Sequence, residues 1–305
     1  KARRTLFVAP CAGRKGLVVS PLAFVLVFGA AIAHAAWNII AHGISRAGTP
    51  FLWWGAVASS AVWIGAVPFT GGIGADDLGS FALGVAVSAV LHVAYMTVLQ
   101  RGYREGNLST VYATARGTGP FLSVLVAVLL LGERPSVIAL IGVAAVIVGV
   151  VAIGLVDRGS AGRPRRIDPG ILFGLLTGVA IAVYTIWDAH AVRTWNMSPV
   201  AFMVGTTLLQ VPFYSIAVRR RWGAVWALGR TQWRRILVFG ILSPLSYILV
   251  LTAIQIAPVA LVAPLREVSV VLVSLFGVFV LRESRPGWRI AASLVVVAGI
   301  VLLAL

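Results

Sequence analysis

Ten apolar stretches of roughly twenty residues follow one another along this chain of 305 residues, separated by short segments rich in arginine. A helix rises ~1.5 Å per residue, so about twenty residues cross the ~30 Å hydrocarbon core of a bilayer. Lipid offers no partner to a free backbone amide, and a helix is the one spanning form a single continuous run can satisfy by itself. The reading is an all-α polytopic membrane protein with helices over 21–43, 50–68, 78–100, 108–131, 136–156, 169–194, 199–218, 236–256, 258–281 and 287–305. Charged residues make up 11% of the chain, against about 25% in a soluble domain, which is too few to hydrate a globular surface.

The chain also repeats itself at an offset of 150 residues. Arg116 opens an apolar run that Glu133 closes, and Arg266 opens one that Glu283 closes at the same spacing. Trp37-Asn38 falls on Trp187-Asp188 under that shift, and His34 falls on Tyr184. A period this long marks a duplication of a whole unit rather than a solenoid. The expected organisation is a basic tail over 1–20, a first five-helix repeat over 21–156, a polar linker over 157–168 and a second repeat over 169–305. Because each repeat holds an odd number of spans, the second is inverted relative to the first, a common transporter plan.

The net charge is +16, which in a soluble chain would suggest nucleic acid. Here sixteen arginines lie in the odd-numbered loops against two, Arg134 and Arg193, in the even-numbered ones. That asymmetry is a topology signal: odd loops cytoplasmic, both termini periplasmic. Within loop 7–8, Trp222, Trp226 and Trp233 alternate with arginines at helical spacing and read as an interfacial helix on an anionic leaflet. A single cysteine, Cys11, excludes an internal disulfide, and neither a P-loop nor a His-Glu-x-x-His motif occurs. No cofactor and no metal are expected.

Polar side chains inside spans turn toward a cavity or a partner helix, and charged ones are costly in lipid. His34, Trp37 and Asn38 share one face of the first helix. Tyr184, Trp187 and Asp188 do the same on the sixth, His92 and Tyr95 on the third, and Tyr112 and Arg116 on the fourth. With Tyr247 and Arg266 these form the candidate substrate site. By depth, Asn38 and Arg116 lie in the cytoplasmic half, while Asp188 and Arg266 lie together in the outer half and pair as ions. Glu267 is turned about 100° from Arg266 on an unbroken helix and faces elsewhere. Pro120 bends the fourth helix beside Arg116. Glu133 and Glu283 are expected to cap or bridge at the interface, with Arg134 and Arg285 nearby. His42 and His190 lie nearer helix ends and read as structural or solvated. Ladders of small residues (Gly170, Gly174, Gly178, Ala182; Ser80, Gly84, Ser88) mark close helix packing.

These features resemble the EamA family of the drug/metabolite transporter superfamily, over residues 21–305. The resemblance rests on the duplicated five-helix pattern and on Leu131-Gly132-Glu133-Arg134-Pro135 and Leu281-Arg282-Glu283-Ser284-Arg285-Pro286 at the ends of helices 4 and 9. It rests also on Ser109-Thr110-Val111-Tyr112-Ala113-Thr114-Ala115-Arg116 and on His34-Ala-Ala-Trp37-Asn38. Arg282 departs from the glycine common at its position. The resemblance implies a secondary transporter, an exporter, that binds a small metabolite between the two repeats and works by alternating access in the bacterial inner membrane. Its partners are a small-molecule substrate and the lipid bilayer, with no nucleic acid, as a monomer or homodimer. On that reading Arg116 clamps a carboxylate or phosphate, Trp37 and Trp187 form walls, and Asp188 with Arg266 is a gate or proton-sensitive switch in an antiport mode. A flippase for a lipid-linked anionic substrate is the alternative. An enzyme is not expected, since no nucleophile–base pair or pair of catalytic carboxylates converges at one depth.

Overall fold

The structure is a computed structural model and describes residues 20–41, 44, 47–106, 108–155, 169–280, 282 and 285–304. The basic tail (apart from Ser20), the linker loop 157–168, His42 and Glu283 lie outside the described residues. Among the described residues eleven α-helices run in the order α1 (Pro21–Ala41), α2 (Thr49–Trp63), α3 (Leu78–Glu105), α4 (Leu108–Leu129), α5 (Val137–Leu155), α6 (Pro169–Thr194), α7 (Pro199–Val218), α8 (Trp222–Ile256), α9 (Val259–Leu265), α10 (Val268–Phe279) and α11 (Pro286–Ala304). They make ten apolar spans, because α9 and α10 together form one, Val259–Phe279. The protein is all-α and multi-pass.

Prolines stand at the first turns of α1, α2, α6, α7 and α11, where the missing amide hydrogen costs nothing and the fixed φ suits a helix start. Asp77 caps α3 by accepting hydrogen bonds from the Ser80 amide and hydroxyl, both at 2.7 Å. Three boundaries differ from the sequence reading, the simplest being that of the third helix, which runs on to Glu105 rather than 100. The second helix tightens into a 3-10 turn over Ile64–Thr70, which carries Pro68. The eighth starts at Trp222 rather than 236, because the expected interfacial helix runs straight into the span and is interrupted only at Gln232, whose φ of −123° is not helical. Trp222 and Trp226 do not simply face a leaflet: their rings meet Trp53 of α2 edge-on, and the Trp54 indole N–H donates to the Val225 carbonyl.

Helix packing has the form of a two-fold. Under the 150-residue shift the contact of α1 with α8 maps onto that of α6 with α3. The contact of α2 with α8 maps onto α7 with α3, and α4 with α6 onto α9 and α10 with α1. The pairs α2–α7 and α5–α11 map onto themselves, so both lie on the axis relating the halves. Small residues make the close crossings. A β-carbon on Gly142 of α5 would stand 2.7 Å from the Gly299 carbonyl of α11, and one on Gly299 2.7 Å from the Gly142 carbonyl. Gly174 and Gly178 of α6 sit against Thr114 and Thr118 of α4 in the same way, which is how helices without a hydrophobic drive toward each other gain dispersion contact. Large apolar side chains point outward instead, as with Leu22, Val25, Phe28 and Ile32 along one stripe of α1.

One end of the bundle is fastened across the halves. Glu133, after α4, accepts hydrogen bonds from the Val259 amide (3.0 Å) and the Ala260 amide (2.8 Å), and so caps α9 from the other half. The Arg193 guanidinium at the end of α6 donates to the same carboxylate at 2.8 Å. Glu133 therefore both caps and bridges, as expected, but its cation is Arg193, and Arg134 is exposed. On the same face the Ser198 amide donates to the Ile73 carbonyl, and the Asn196 amide group to Asp76.

Candidate functional site

The first polar cluster lies where three elements meet at mid-span. Arg116, 9% exposed, projects from α4. Its Nη1 donates to the Glu267 carboxylate at 3.3 and 3.5 Å, and its Nη2 donates to His34 Nε2 on α1 at 2.8 Å. A guanidinium only donates, so His34 Nε2 must accept and its ring proton sits on Nδ1; His34 is neutral here. The Arg116 charge also lies over the Tyr112 ring, 5.2 Å from its centre. Arg266 is 6% exposed, its Nε is 3.9 Å from Glu267 Oε1, and that Nε has no hydrogen-bond partner.

Glu267 was not expected here. It is the carboxylate the sequence reading did not find for Arg116, and it reaches Arg116 because the ninth span is broken. Pro264 supplies no amide hydrogen, and α9 ends at Leu265. The chain then tightens, with the Glu267 amide bonded to the Pro264 carbonyl and the Val270 amide to the Glu267 carbonyl. Such three-residue hydrogen bonds in mid-span often mark a hinge or a ligand site. Pro120 lies inside α4, which runs as one helix from Leu108 to Leu129. The chain break that opens backbone at this depth falls in the second half instead.

The second cluster belongs to α3, α6 and α8. Asp188 is fully buried, and its Oδ2 accepts a hydrogen bond from the Tyr247 hydroxyl at 2.5 Å. His92 Nε2 stands 3.7 Å from the same oxygen. The Tyr184 ring lies 4.3 Å from the His92 ring and 5.3 Å from that of Tyr95. Asp188 therefore pairs with Tyr247 and His92, not with Arg266 as expected from depth. The charges of Arg116 and Arg266 reach Tyr95 and Tyr184, so the two clusters form one polar core.

Three expected site residues stand at its margins. Trp37 is held edge-on between His34 and Phe239, with ring centres 4.8 and 5.2 Å away. Asn38 donates to the His34 carbonyl of its own helix at 2.8 Å and makes no bond to Arg116. Trp187 turns away, its indole N–H donating to the Gly84 carbonyl at 3.0 Å and its ring meeting Trp195 near the fastened end. Among the described residues no group of three or more histidine, cysteine, aspartate or glutamate side chains is placed to hold a metal ion.

Ten apolar spans in two interlocked halves around a buried cluster of arginines, carboxylates and tyrosines define a polytopic membrane protein with a polar core. Residues 168–305 match the EamA-like transporter family. An EamA-like domain is thus present over the second half of the chain, which is consistent with the drug/metabolite transporter superfamily and with secondary transport as the general function. A protein of known crystal structure superposes with a TM-score of 0.74 over 92% of this chain and 95% of that one, at 19% sequence identity, which shows the shared fold. No curated protein matches the chain in sequence.

Proposed function

We propose that the protein carries a small monoanion, a carboxylate or a phosphate monoester in its singly ionised form, through a site centred on Arg266 between the two halves. The observation that carries this reading is the Arg266 guanidinium. It is buried, its Nε donor is unfilled, and the nearest carboxylate oxygen, 3.9 Å away, already serves Arg116. Arg116, Arg266 and Glu267 together bear one net positive charge, which a single anion neutralises. A buried unpaired cation is costly in lipid, so the site favours a ligand that brings the missing charge. A guanidinium takes a carboxylate or phosphate in a two-pronged grip that a lysine cannot copy.

The repeats over 21–156 and 169–305 are the moving units, rocking about this site to alternate access. The protein resides in a bacterial inner membrane, with the arginine-rich odd loops cytoplasmic and both termini periplasmic. On that orientation the Glu133–Arg193–α9 fastening is the outer gate. Arg116 is the organiser of the core, holding Glu267 and His34, rather than the primary anion clamp.

Thermal unfolding in detergent tests the reading, because a ligand that binds only the folded state stabilises it by mass action. Short monocarboxylates and phosphate monoesters should raise the unfolding temperature, and their neutral amides and alcohols should not. Arg266→Lys should abolish the response. A neutral compound that stabilises as well as its acid, or a response undiminished in Arg266→Lys, would remove the anion site.

A further inference from the structure

The geometry of the second cluster offers a place for one proton beyond those its hydrogen bonds fix. The His92 Nδ1 lies 2.9 Å from the Ser88 carbonyl and 3.3 Å from the Ser88 hydroxyl. A carbonyl oxygen only accepts, so Nδ1 carries a hydrogen. In a neutral ring Nε2 is then a bare lone pair, and it faces Asp188 Oδ2 at 3.7 Å. A lone pair set against a carboxylate repels. One more proton, on His92 as an imidazolium or on Asp188 as a carboxylic acid, turns that repulsion into attraction. Tyr247 donates to the same oxygen, while Asp188 Oδ1 is buried and makes no hydrogen bond, the Ser88 hydroxyl being the other polar group beside the carboxylate. A fully buried carboxylate oxygen without a donor is an expensive arrangement that protonation relieves.

The elements packed against Asp188 bring no further charge that balances it. From α3 come His92 and, farther out, Tyr95; from α8 comes Tyr247; from α6 itself comes Tyr184. The α4 helix offers Tyr112 and Arg116, and that guanidinium is turned to Glu267 and His34. Arg266, at the α9–α10 junction, reaches Tyr184 and Tyr247 electrostatically, but its nearest carboxylate is Glu267. No fixed cation pairs with Asp188 among the described residues.

We propose that His92, Asp188 and Tyr247 form a proton-binding site, and that one proton there and one anion at Arg266 occupy the protein together. The proposal rests on the anion reading above for its second half only. Charge supplies the link. With the proton bound, the His92–Asp188 pair is neutral and the core as a whole carries one positive charge from Arg116, Arg266 and Glu267. With the proton gone, the pair carries one negative charge, the core falls to zero, and the anion loses its counter-charge in a medium that screens it poorly. Proton and anion therefore favour each other's binding, and by linkage each raises the other's affinity by the same factor. The coupling this produces is co-transport of a proton with an anion in one direction, in place of the antiport expected from sequence. Down an inward proton gradient it is uptake.

Infrared difference spectroscopy on the full chain in lipid, stepped from low to high pH, tests the proton site without a substrate. The wild type should lose one of two signals on the step, a buried carboxylic-acid C=O stretch or an imidazolium ring mode. Asp188→Asn and His92→Gln should lack that change. Tyr247→Phe keeps both proton carriers and removes one donor to Asp188, so it should displace the signal without abolishing it, and it decides the matter if the other two variants fail to fold. A wild type with neither signal, variants that reproduce the wild-type spectrum, or a signal unmoved in Tyr247→Phe would overturn the site. The co-binding half is read separately, as the shift in unfolding temperature given by acetate or inorganic phosphate at the two ends of the same pH step. The shift should be larger at the low-pH end in wild type and equal at both ends in Asp188→Asn. Intact pH bands with equal shifts in the wild type would leave the proton site standing and refute the coupling. Absent bands would refute the proton site and leave the Arg266 reading to its own test.

Discussion

Replacing Glu267 by glutamine removes the one carboxylate from a cluster that otherwise holds two guanidiniums. Arg116 is 9% and Glu267 1% exposed, so water screens little of the change. Leaving one member of a buried pair without the other typically costs ~3–5 kcal/mol. The Arg116–Glu267 contacts, at 3.3 and 3.5 Å, exceed the ~2.7–2.9 Å of an optimal charge-assisted bond, which places this case at the low end, ~3 kcal/mol. At 1.4 kcal/mol per decade that is about a hundredfold in the folding equilibrium. Equilibrium unfolding in mixed micelles would read it. Arg116→Gln alone should also destabilise, because Glu267 then keeps only the 3.9 Å contact with Arg266. The double variant restores the original net charge and should lose less than the two singles together, by ~1–3 kcal/mol of coupling. If the double loss equals the sum within ~0.5 kcal/mol, the groups are energetically independent and the account of the core as one electrostatic unit fails.

Glu133→Ala should cost about 1–2 kcal/mol through the lost cap on α9 and should exceed the cost of Arg193→Ala, whose side chain is 29% exposed; equal losses in thermal unfolding would show that the cap contributes little. The Asp77 carboxyl is held below its ordinary range by the hydrogen bonds from the Ser80 side chain and amide. Its contribution is therefore present at neutral pH and above, and is lost as pH falls through that depressed value. Asp77→Asn keeps a cap but should flatten the acid limb of α3 hydrogen exchange, and an unchanged acid limb would discount the cap. A fluorescent protein fused after Leu305 that matures only in cytoplasm should stay dark, and bright cells would reverse the orientation.

Much of the architecture is legible in sequence because lipid leaves few alternatives. A run of twenty apolar residues has one satisfactory backbone form, and the glycine ladder of α6 names the face that meets α4. The inward side chains of α3 and α6 were equally readable: His92, Tyr95, Tyr184 and Asp188 do meet, with Tyr247 completing the group. The partners were not readable. Helical spacing says which residues share a face of one helix, and nothing about which of several neighbouring helices that face will meet. Trp187 illustrates the loss, since it shares the inward stripe of Asp188 by spacing yet hydrogen-bonds Gly84.

The two errors at the centre of the site have a common physical root in the break at Arg266 and Glu267. A 100° turn per residue separates neighbours only while the helix continues, and here α9 has ended and α10 has not begun. Both side chains can then look into one space, and Pro264, two residues upstream, was the available warning. Depth misled for a related reason. Arg116 lies eight residues into α4 and Arg266 a similar distance into the oppositely directed ninth span, so each sits ~12 Å from its own face of a ~30 Å core. Assigning them to separate halves of the membrane treats that interval as a gap, but a guanidinium on a long flexible stem readily covers the few ångströms left at the midplane. Inversion thus brings equivalent residues of the two repeats together rather than holding them apart. In a duplicated transporter the groups to look for beside a mid-span arginine are those flanking its counterpart 150 residues away, and Glu267 is the immediate neighbour of that counterpart.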